Sequence, residues 1–340
     1  MSSTNPVLVE WARQGKRWAE AVLVRAQHSS PLPPGARLFV NEDGTMHGAI
    51  SMGCVESDLR EHLLRLLKGG EPRLVHYGAA DERTLEVGLS CGGEIDVLLR
   101  VQPQDEVWRA LAARAPEQPA ILLTRVSPPL GLQRICLPDG ARAGTLGDPA
   151  LDRKADAALD PLWRHGGRER LELGGVQVFA ECLEPLPNLA IVGASPVAVA
   201  LCRMAAAAGF RVAVVDPRRV YARAELFPDA ARVIHEWPEE GLAAAGLDDR
   251  WYVAVVAHDM KLDLPALAIA LRRRCRYIGL LGSRVTQEKY RAQLSRMGFE
   301  AGELDCIHGP IGLRIGALEP AEIAVSVLAE LIGSRRDGLR

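Results

Sequence analysis

The distribution of apolar positions divides the chain into two parts. From about residue 187 onward, short runs such as NLAIV, RVAVV and WYVAVV are apolar at nearly every position and alternate with longer, helix-like segments. A strand that is buried on both faces gives such a run, and alternation of these strands with helices is typical of a parallel sheet. We therefore predict a doubly wound α/β domain for residues 187–335, followed by a short tail at 336–340.

Residues 1–186 show a different order of predicted elements. The same order occurs twice, in the blocks 1–104 and 105–186. Each block reads as a strand, a proline-rich turn, a strand, an Asp-Gly turn, a glycine-bearing segment, a helix and two further strands. The Asp-Gly turn at Asp43 corresponds to the one at Asp139. We interpret the blocks as a weak internal duplication that packs as two similar α/β halves. Chance similarity between two α/β segments would give the same pattern.

The best-marked helix of the first block is SDLREHLLRLLKGG, which places four leucines on one face. Ser57 is predicted to cap this helix, so the turn from Gly53 to Glu56 should lie just before a helix N-terminus. Unpaired amides at that end favour an anion, and they would also favour a thiolate at Cys54. The thiol could be packed in the core, act as a nucleophile, or contact a soft centre such as sulfur or a metal.

The segment VGASPVA lies after an apolar strand and before a helix, where a dinucleotide-binding fingerprint would place glycines at 193, 195 and 198. Gly193 fits, but Ser195 adds a Cβ where the backbone should approach a pyrophosphate. Asp216 ends the next strand, where an acid can bind a ribose hydroxyl. The pattern indicates a Rossmann-like domain that binds a nucleotide or related phosphate ligand, or one whose crevice is vacant or altered.

Two further loops follow the carboxyl ends of predicted strands. His258 and Asp259 come after WYVAVVA, and Gly282 and Ser283 come after RYIGLL. Ligands of open parallel sheets gather at this edge. We expect these four residues to line the same crevice as the glycine loop, as candidates for nucleotide binding.

Composition narrows the function classes. The chain has 340 residues, a net charge of −2 and 5% aromatic residues, which gives no support for nucleic-acid binding. The first residues lack the apolar core of a secretion signal, and the longest apolar run is too short to span a bilayer. Seven cysteines include no C-x-x-C pair, so a zinc ribbon is not indicated. We predict a cytoplasmic protein that does not bind membranes.

Several motifs occur in one order along nearly the whole chain: SSPLPPGARLFV, GCVE, YGAADERTLEVGLSCGGEIDVLL, LAIVGA, AHDMKLDLPAL, YIGLLGSR and HGPIGLRIGALEPAEIAVSVLAELI. In this order they resemble the XdhC/CoxI family, accessory proteins for xanthine dehydrogenase and related molybdenum hydroxylases. The resemblance implies a chaperone that binds the molybdenum cofactor, protects it, supports its sulfuration with a cysteine desulfurase and inserts it into the apo-hydroxylase. The sequence leaves open whether this cofactor carries a cytosine nucleotide.

On this resemblance, the cofactor-binding candidates all lie in the first block. Four of them could address the pterin phosphate, and the others form two cysteine-bearing glycine turns: Ser29, Ser30, Gly35 and Arg37; Gly53, Cys54 and Glu56; Cys91, Gly92 and Gly93. No direct metal site is predicted, although either thiol could contact the molybdenum centre, because thiolates suit soft metals. The second block has neither turn, so the chemistry is expected in the first block. The alternative is that both thiols are buried packing.

Departures from the family pattern fall in both parts of the chain, and one of them is His28 before Ser29-Ser30. Ser195-Pro196 replaces a Gly-His pair, and Arg314 stands where an aspartate is usual. In the first block, Met52 replaces a glycine. Two other functions stay open, a nicotinamide-dependent oxidoreductase using the Rossmann-like domain and an interaction protein without a ligand. Family members commonly form dimers, but the sequence does not report the oligomeric state.

Overall fold

The computed structural model describes residues 6–78, 89, 92–101, 106–115 and 118–336. The chain divides into two compact units, Met1–Pro185 and Leu186–Arg340. Among the described helices, none combines the length and the apolar character that a bilayer span requires.

The first half of the N-terminal unit is an antiparallel sheet of order β3-β2-β1-β5-β4 with helices. Its elements are α1 (Pro6–Arg13), β1 (Trp18–Gln27), β2 (Arg37–Asn41), β3 (Met46–Gly48), α2 (Glu56–Leu67), β4 (Arg73–Tyr77) and β5 (Glu94–Val101). The leucine face of α2 is buried against one face of this sheet, in a cluster that includes Ala21 and Leu23 of β1. The predicted helix is therefore confirmed.

The second half has the same strand order, β8-β7-β6-β10-β9, again with antiparallel pairing. Its elements are α3 (Glu106–Ala113), β6 (Ala120–Arg125), β7 (Gln133–Cys136), β8 (Arg142–Gly144), α4 (Pro149–Ala157), α5 (Asp160–His165), β9 (Arg168–Leu173) and β10 (Val176–Leu183). This shared order is what the interpretation as two similar halves requires.

The two antiparallel sheets pack against each other. Side chains alternate along a strand, so β1 turns Ala21 and Leu23 toward α2 and Val22 and Val24 to the opposite face. Val22 and Val24 join Phe179 of β10 in one buried cluster. The first sheet is therefore covered by a helix on one face and by the second sheet on the other.

The C-terminal unit contains one parallel sheet of six strands in the order β13-β12-β11-β14-β15-β16. Its elements are β11 (Asn188–Val192), α6 (Pro196–Ala207), β12 (Arg211–Val215), a 3₁₀ turn (Ala224–Leu226), β13 (Arg232–Ile234), α7 (Pro238–Ala245), β14 (Tyr252–Val255), α8 (Met260–Arg272), β15 (Tyr277–Leu280), α9 (Arg284–Arg296), α10 (Ala301–Leu304), β16 (Ile307–His308) and α11 (Pro320–Arg335).

Both faces of this sheet are buried. Leu189 and Ile191 of β11 belong to one core cluster, and Ala190 and Val192 belong to another. Burial on both faces explains why these strands are apolar at nearly every position. The predicted Rossmann-like, doubly wound sheet is confirmed.

Candidate functional site

Glu56 organises the turn that carries Cys54. Its carboxylate accepts hydrogen bonds from the amides of Ile50 and Ser51 at 2.9 and 2.7 Å, from the Ser51 hydroxyl at 2.7 Å and from the Gly53 amide at 2.7 Å. Burial by itself would raise the pKa of Glu56, but these hydrogen bonds outweigh it and lower the pKa to about 2. The carboxylate is thus ionised and committed to holding the turn.

The helix begins one residue before the predicted cap. Glu56 is the first residue of α2, Val55 is the N-cap, and no side chain caps the helix there. The prediction that Ser57 caps α2 is therefore wrong. The Glu56 carboxylate instead folds back onto the preceding amides, which leaves Ser57 exposed inside the first turn.

Gly53 and Cys54 differ in their surroundings. Gly53 is exposed and has a φ of 124°, and a Cβ added there would meet no atom within 4 Å, so glycine is required by the backbone conformation and not by crowding. Met52 before it is 73% exposed. Cys54 is half-buried and packs against the core cluster beneath α2. The thiol therefore lies at the boundary between this core and an exposed turn.

The second candidate turn approaches the Ser29 segment. Gly93 packs so closely on the carbonyl oxygen of Ser29 that an added Cβ would collide with it. The register that pairs Gln27 with Glu94 explains this approach. Gly92 lies beside it, and the Ser30 hydroxyl donates to the carbonyl of Leu32 at 2.8 Å.

Cys91 lies outside the described residues. The structure therefore brings together Ser29, Gly92 and Gly93, while the relation of Cys91 to Cys54 stays a prediction.

Arg37 is directed into the protein. Its guanidinium donates to Glu181 at 3.0 Å through Nη1 and again through Nη2, and its Nε lies 3.4 Å from Glu20. Burial would lower the pKa of Arg37, but the two carboxylates raise it. A Cβ added to Gly35 would collide with Arg168 and with Glu181. Both candidate residues thus contribute to the interior contact between the two halves.

Sequence reasoning missed the buried charge network to which Arg37 belongs. Glu20, Arg100 and Glu181 are all at most 2% exposed, and Arg100 lies 2.9 Å from Glu20. The signal was present, because each charge interrupts an otherwise apolar strand: WAEAVLV, DVLLRV and VFAECL. Buried charges in such positions need partners of opposite sign.

In the C-terminal unit, Gly193 and Ser195 occupy the turn between β11 and α6. A Cβ at Gly193 would collide with Ala257, so glycine is needed for the close approach of these two loops. Ser195 is the N-cap of α6 and accepts from the Ala198 amide at 3.3 Å.

Asp216 is fully buried and already bound within the protein. One carboxylate oxygen accepts from the Ala194 amide at 2.7 Å, and both oxygens accept from the Arg218 guanidinium. Burial would raise the pKa of Asp216, but these hydrogen bonds lower it. The carboxylate that was predicted to bind a ribose is therefore engaged by Arg218.

The other crevice candidates lie in adjacent loops. Because β11, β14 and β15 are parallel neighbours, the loops that follow them meet at one edge of the sheet. His258 is exposed with a φ of 56°, and Asp259 caps α8 by accepting from the Lys261 amide at 3.0 Å. After β15, Gly282 precedes Ser283, which caps α9. The structure thus brings the predicted crevice residues to one edge, where three of them serve as helix caps and a fourth, Asp216, engages Arg218.

Asp263 was missed by sequence reasoning. It lies one turn into α8, is 1% exposed, and accepts a hydrogen bond from the Tyr290 hydroxyl at 2.8 Å. Burial raises the pKa of Asp263 to about 6, although the bond from Tyr290 acts in the opposite direction. Across the described parts of both units, no group of three or more His, Cys, Asp or Glu side chains could hold a metal ion.

Known proteins resemble this chain over both units. Residues 11–78 match the model of the XdhC and CoxI family, and residues 189–331 match that of the XdhC Rossmann domain. The chain is 27% identical to a probable xanthine dehydrogenase subunit of Bacillus subtilis (strain 168), covering 93% of this chain and 92% of that protein. It is also 27% identical to the molybdenum cofactor insertion chaperone PaoD of Escherichia coli (strain K12), covering 96% and 86%.

A solved structure shares the fold. The crystal structure of a xanthine dehydrogenase from Bacillus halodurans superposes with a TM-score of 0.82 at 26% sequence identity, covering 100% of this chain and 97% of that chain. The likeness therefore extends over the whole length of both molecules.

Proposed function

This chain belongs to the XdhC and CoxI family, and from that premise we propose that it is a molybdenum cofactor chaperone. In this proposal it binds the cofactor, protects it, supports its sulfuration by a cysteine desulfurase and inserts it into a xanthine dehydrogenase-type hydroxylase. The observation that carries the proposal is the similarity to an insertion chaperone over 96% of this chain. The cofactor is cargo, so the protein would have no turnover of its own.

The turn before α2 has the properties that a cofactor carrier needs. Cys54 offers a sulfur atom at the edge of the core, next to the exposed Gly53, and soft thiolates suit a molybdenum centre. Five hydrogen bonds from residues 50–55 to the Glu56 carboxylate fix the conformation of the turn before any ligand arrives. Such preorganisation reduces the entropy that binding has to overcome. In the proposal, Cys54 contacts the cargo and Glu56 positions the turn.

The segment around Ser29 supplies a second part of the proposed site. Ser29 is exposed, Gly93 lies against it, and Gly92 and Gly93 directly follow Cys91 in the chain. We propose that the Ser29 hydroxyl and the backbone of this glycine turn hydrogen-bond the pterin. Arg37 and Gly35 have no direct role in this version of the site, because both are engaged in the contact between the halves.

The test is to recover the cargo. The protein is purified from cells that make the cofactor and from a matched strain that cannot, each preparation is oxidised, and the fluorescent pterin product is quantified. We expect pterin only in the first preparation. Absence of pterin there, with no uptake of added free cofactor, would overturn the chaperone proposal. The alternative of an oxidoreductase predicts tight NAD(H) or NADP(H) binding by calorimetry, which we do not expect because Arg218 engages Asp216.

A further inference from the structure

A cleft of about 650 Å³ lies in the N-terminal unit, and none of its lining residues belongs to the Cys54 turn. It opens where the β1–β5 pair of the first sheet meets the β9–β10 hairpin of the second. Polar residues from all four strands line it: Arg25, Gln27, Asp96, Arg170, Glu172 and Gln177. Its volume is in the range of pockets that hold small organic ligands, ~300–1,000 Å³.

Two arginines from different sheets share one carboxylate in this cleft. Arg25 and Arg170 approach the same oxygen of Asp96 at 3.2 and 3.5 Å, and His76 lies 2.9 Å from the other oxygen. Burial would raise the pKa of Asp96, but the hydrogen bonds from His76 and Arg25 lower it, so the carboxylate is ionised. Two cations therefore face one anion at this point, and with Glu172 the lining carries two positive and two negative side chains.

Within the described part of the chain, both arginines have N–H donors beyond those that bind Asp96 and Gln177. Each guanidinium carries five N–H groups in a planar fork that suits phosphate oxygens. Among the residues that the structure describes, Arg25 uses one of its nitrogens on Asp96, and Arg170 uses Nη1 and Nη2 on Asp96 and Gln177. The cleft therefore offers charged donors to an anion.

A hydrogen-bond acceptor, the carboxylate of Glu172, also lines the cleft. Glu172 is exposed and makes no hydrogen bond or ion pair within the described part of the chain. It is paired across the hairpin with Gln177, which also lines the cleft. A carboxylate accepts from ring amino and imino groups, which an inorganic anion does not have. This combination fits a phosphorylated, amino-substituted heterocycle.

The cleft adjoins the proposed cofactor segment. Gln27 lines the cleft and is two residues before Ser29, and the close packing of Gly93 involves the carbonyl oxygens of both Ser29 and Gln27. A ligand held at Ser29 could extend into the cleft without leaving the protein surface.

We infer that this cleft binds the phosphate-bearing part of the pterin cargo, with Arg25 and Arg170 on the phosphate and Glu172 on a ring amino group. The inference rests on the proposed function, because it takes the pterin as the ligand. In this inference the phosphate is bound by two arginines that line an open cleft, and not by Arg37, which is buried.

The experiment compares cofactor loading of variants by the fluorescent pterin assay. Arg25→Gln combined with Arg170→Gln is expected to weaken apparent binding by about 10-fold or more, since hydrogen bonds between charged groups are stronger than those between neutral groups. Glu172→Gln leaves the Asp96 network in place and should also weaken loading. Arg142→Gln is the matched control, because Arg142 is a half-buried arginine near a carboxylate, Asp156, and lies outside the cleft.

The outcomes separate the two proposals. Reduced loading of the double variant and of Glu172→Gln, with normal loading of Arg142→Gln, supports the cleft. If the double variant and Glu172→Gln both fold and both load pterin normally, the inference about the cleft is wrong and the chaperone proposal is unaffected. If the double variant does not fold, the pterin loading of Glu172→Gln by itself tests the inference about the cleft. Wild-type protein that takes up no pterin overturns the chaperone function, and the inference with it.

Discussion

The guanidinium of Arg37 binds the carboxylate of Glu181 in the interior of the N-terminal unit, although 144 positions separate the two residues in the chain. Arg37 begins β2 of the first sheet, and Glu181 lies in β10 of the second. Their side chains are 4% and 0% exposed. The pair therefore ties the two halves together where neither charge can be solvated.

Removing this cation should destabilise the protein strongly. Arg37→Met leaves Glu181 buried and without its bidentate partner, and breaking a buried pair in this way costs roughly 3–5 kcal/mol. We expect that loss in the free energy of unfolding measured with urea. Arg65→Met is the control, because its pair with Glu61 is exposed and contributes about 1 kcal/mol or less. Equal losses in the two variants would contradict the role of Arg37.

Glu56 should make stability depend on acid pH. Its pKa is about 2 in the folded protein against an ordinary value of 4.5, so its stabilising effect is complete above about pH 4.5 and is lost as the pH falls toward 2. We expect Glu56→Gln to lower the free energy of unfolding by up to about 3 kcal/mol at pH 6, and by less at pH 3.5. Urea unfolding at both pH values measures this. A difference independent of pH would show that the hydrogen bonds do not depend on the charge.

Asp263 should make stability depend on pH in the opposite direction from Glu56. Its pKa is raised to about 6, so the folded state holds a proton that the unfolded state has released, and stability falls as the pH rises from about 4 to 6. Asp263→Asn should therefore stabilise the protein by about 1–3 kcal/mol at pH 7.5 and have little effect near pH 4. Thermal unfolding at both pH values tests this, with the exposed Asp249→Asn as control. Destabilisation at pH 7.5 would refute it.

Cys54 should matter for the cargo more than for the fold. If its sulfur contacts the molybdenum centre, Cys54→Ala and Cys54→Ser should both reduce loading and delivery of sulfurated cofactor by about 10-fold, a difference of roughly 1.4 kcal/mol. Cys306→Ser, an exposed cysteine of the other unit, should behave as wild type. Activation of a purified apo-hydroxylase is the readout. Normal delivery by both Cys54 variants would assign the thiol to packing.

Much of the fold could be predicted because it depends on neighbouring residues. The leucine spacing of α2 and the apolar runs of β11 and β12 are local patterns, and the structure confirms both. The cap of α2 could not be predicted in this way. Ser57 has the right residue type, but the Glu56 side chain reaches back to Ser51 and Gly53 and decides where the helix begins.

The sequence by itself determined the parallel sheet of the C-terminal unit, the position of the Cys54 turn and the family, because these follow from periodicity and from ordered motifs. Only the tertiary structure decided that Arg37 faces Glu181 and that Arg25 meets Arg170 at Asp96. These contacts join strands of different sheets. Their geometry is set by how the two sheets pack, and no spacing along the chain encodes it.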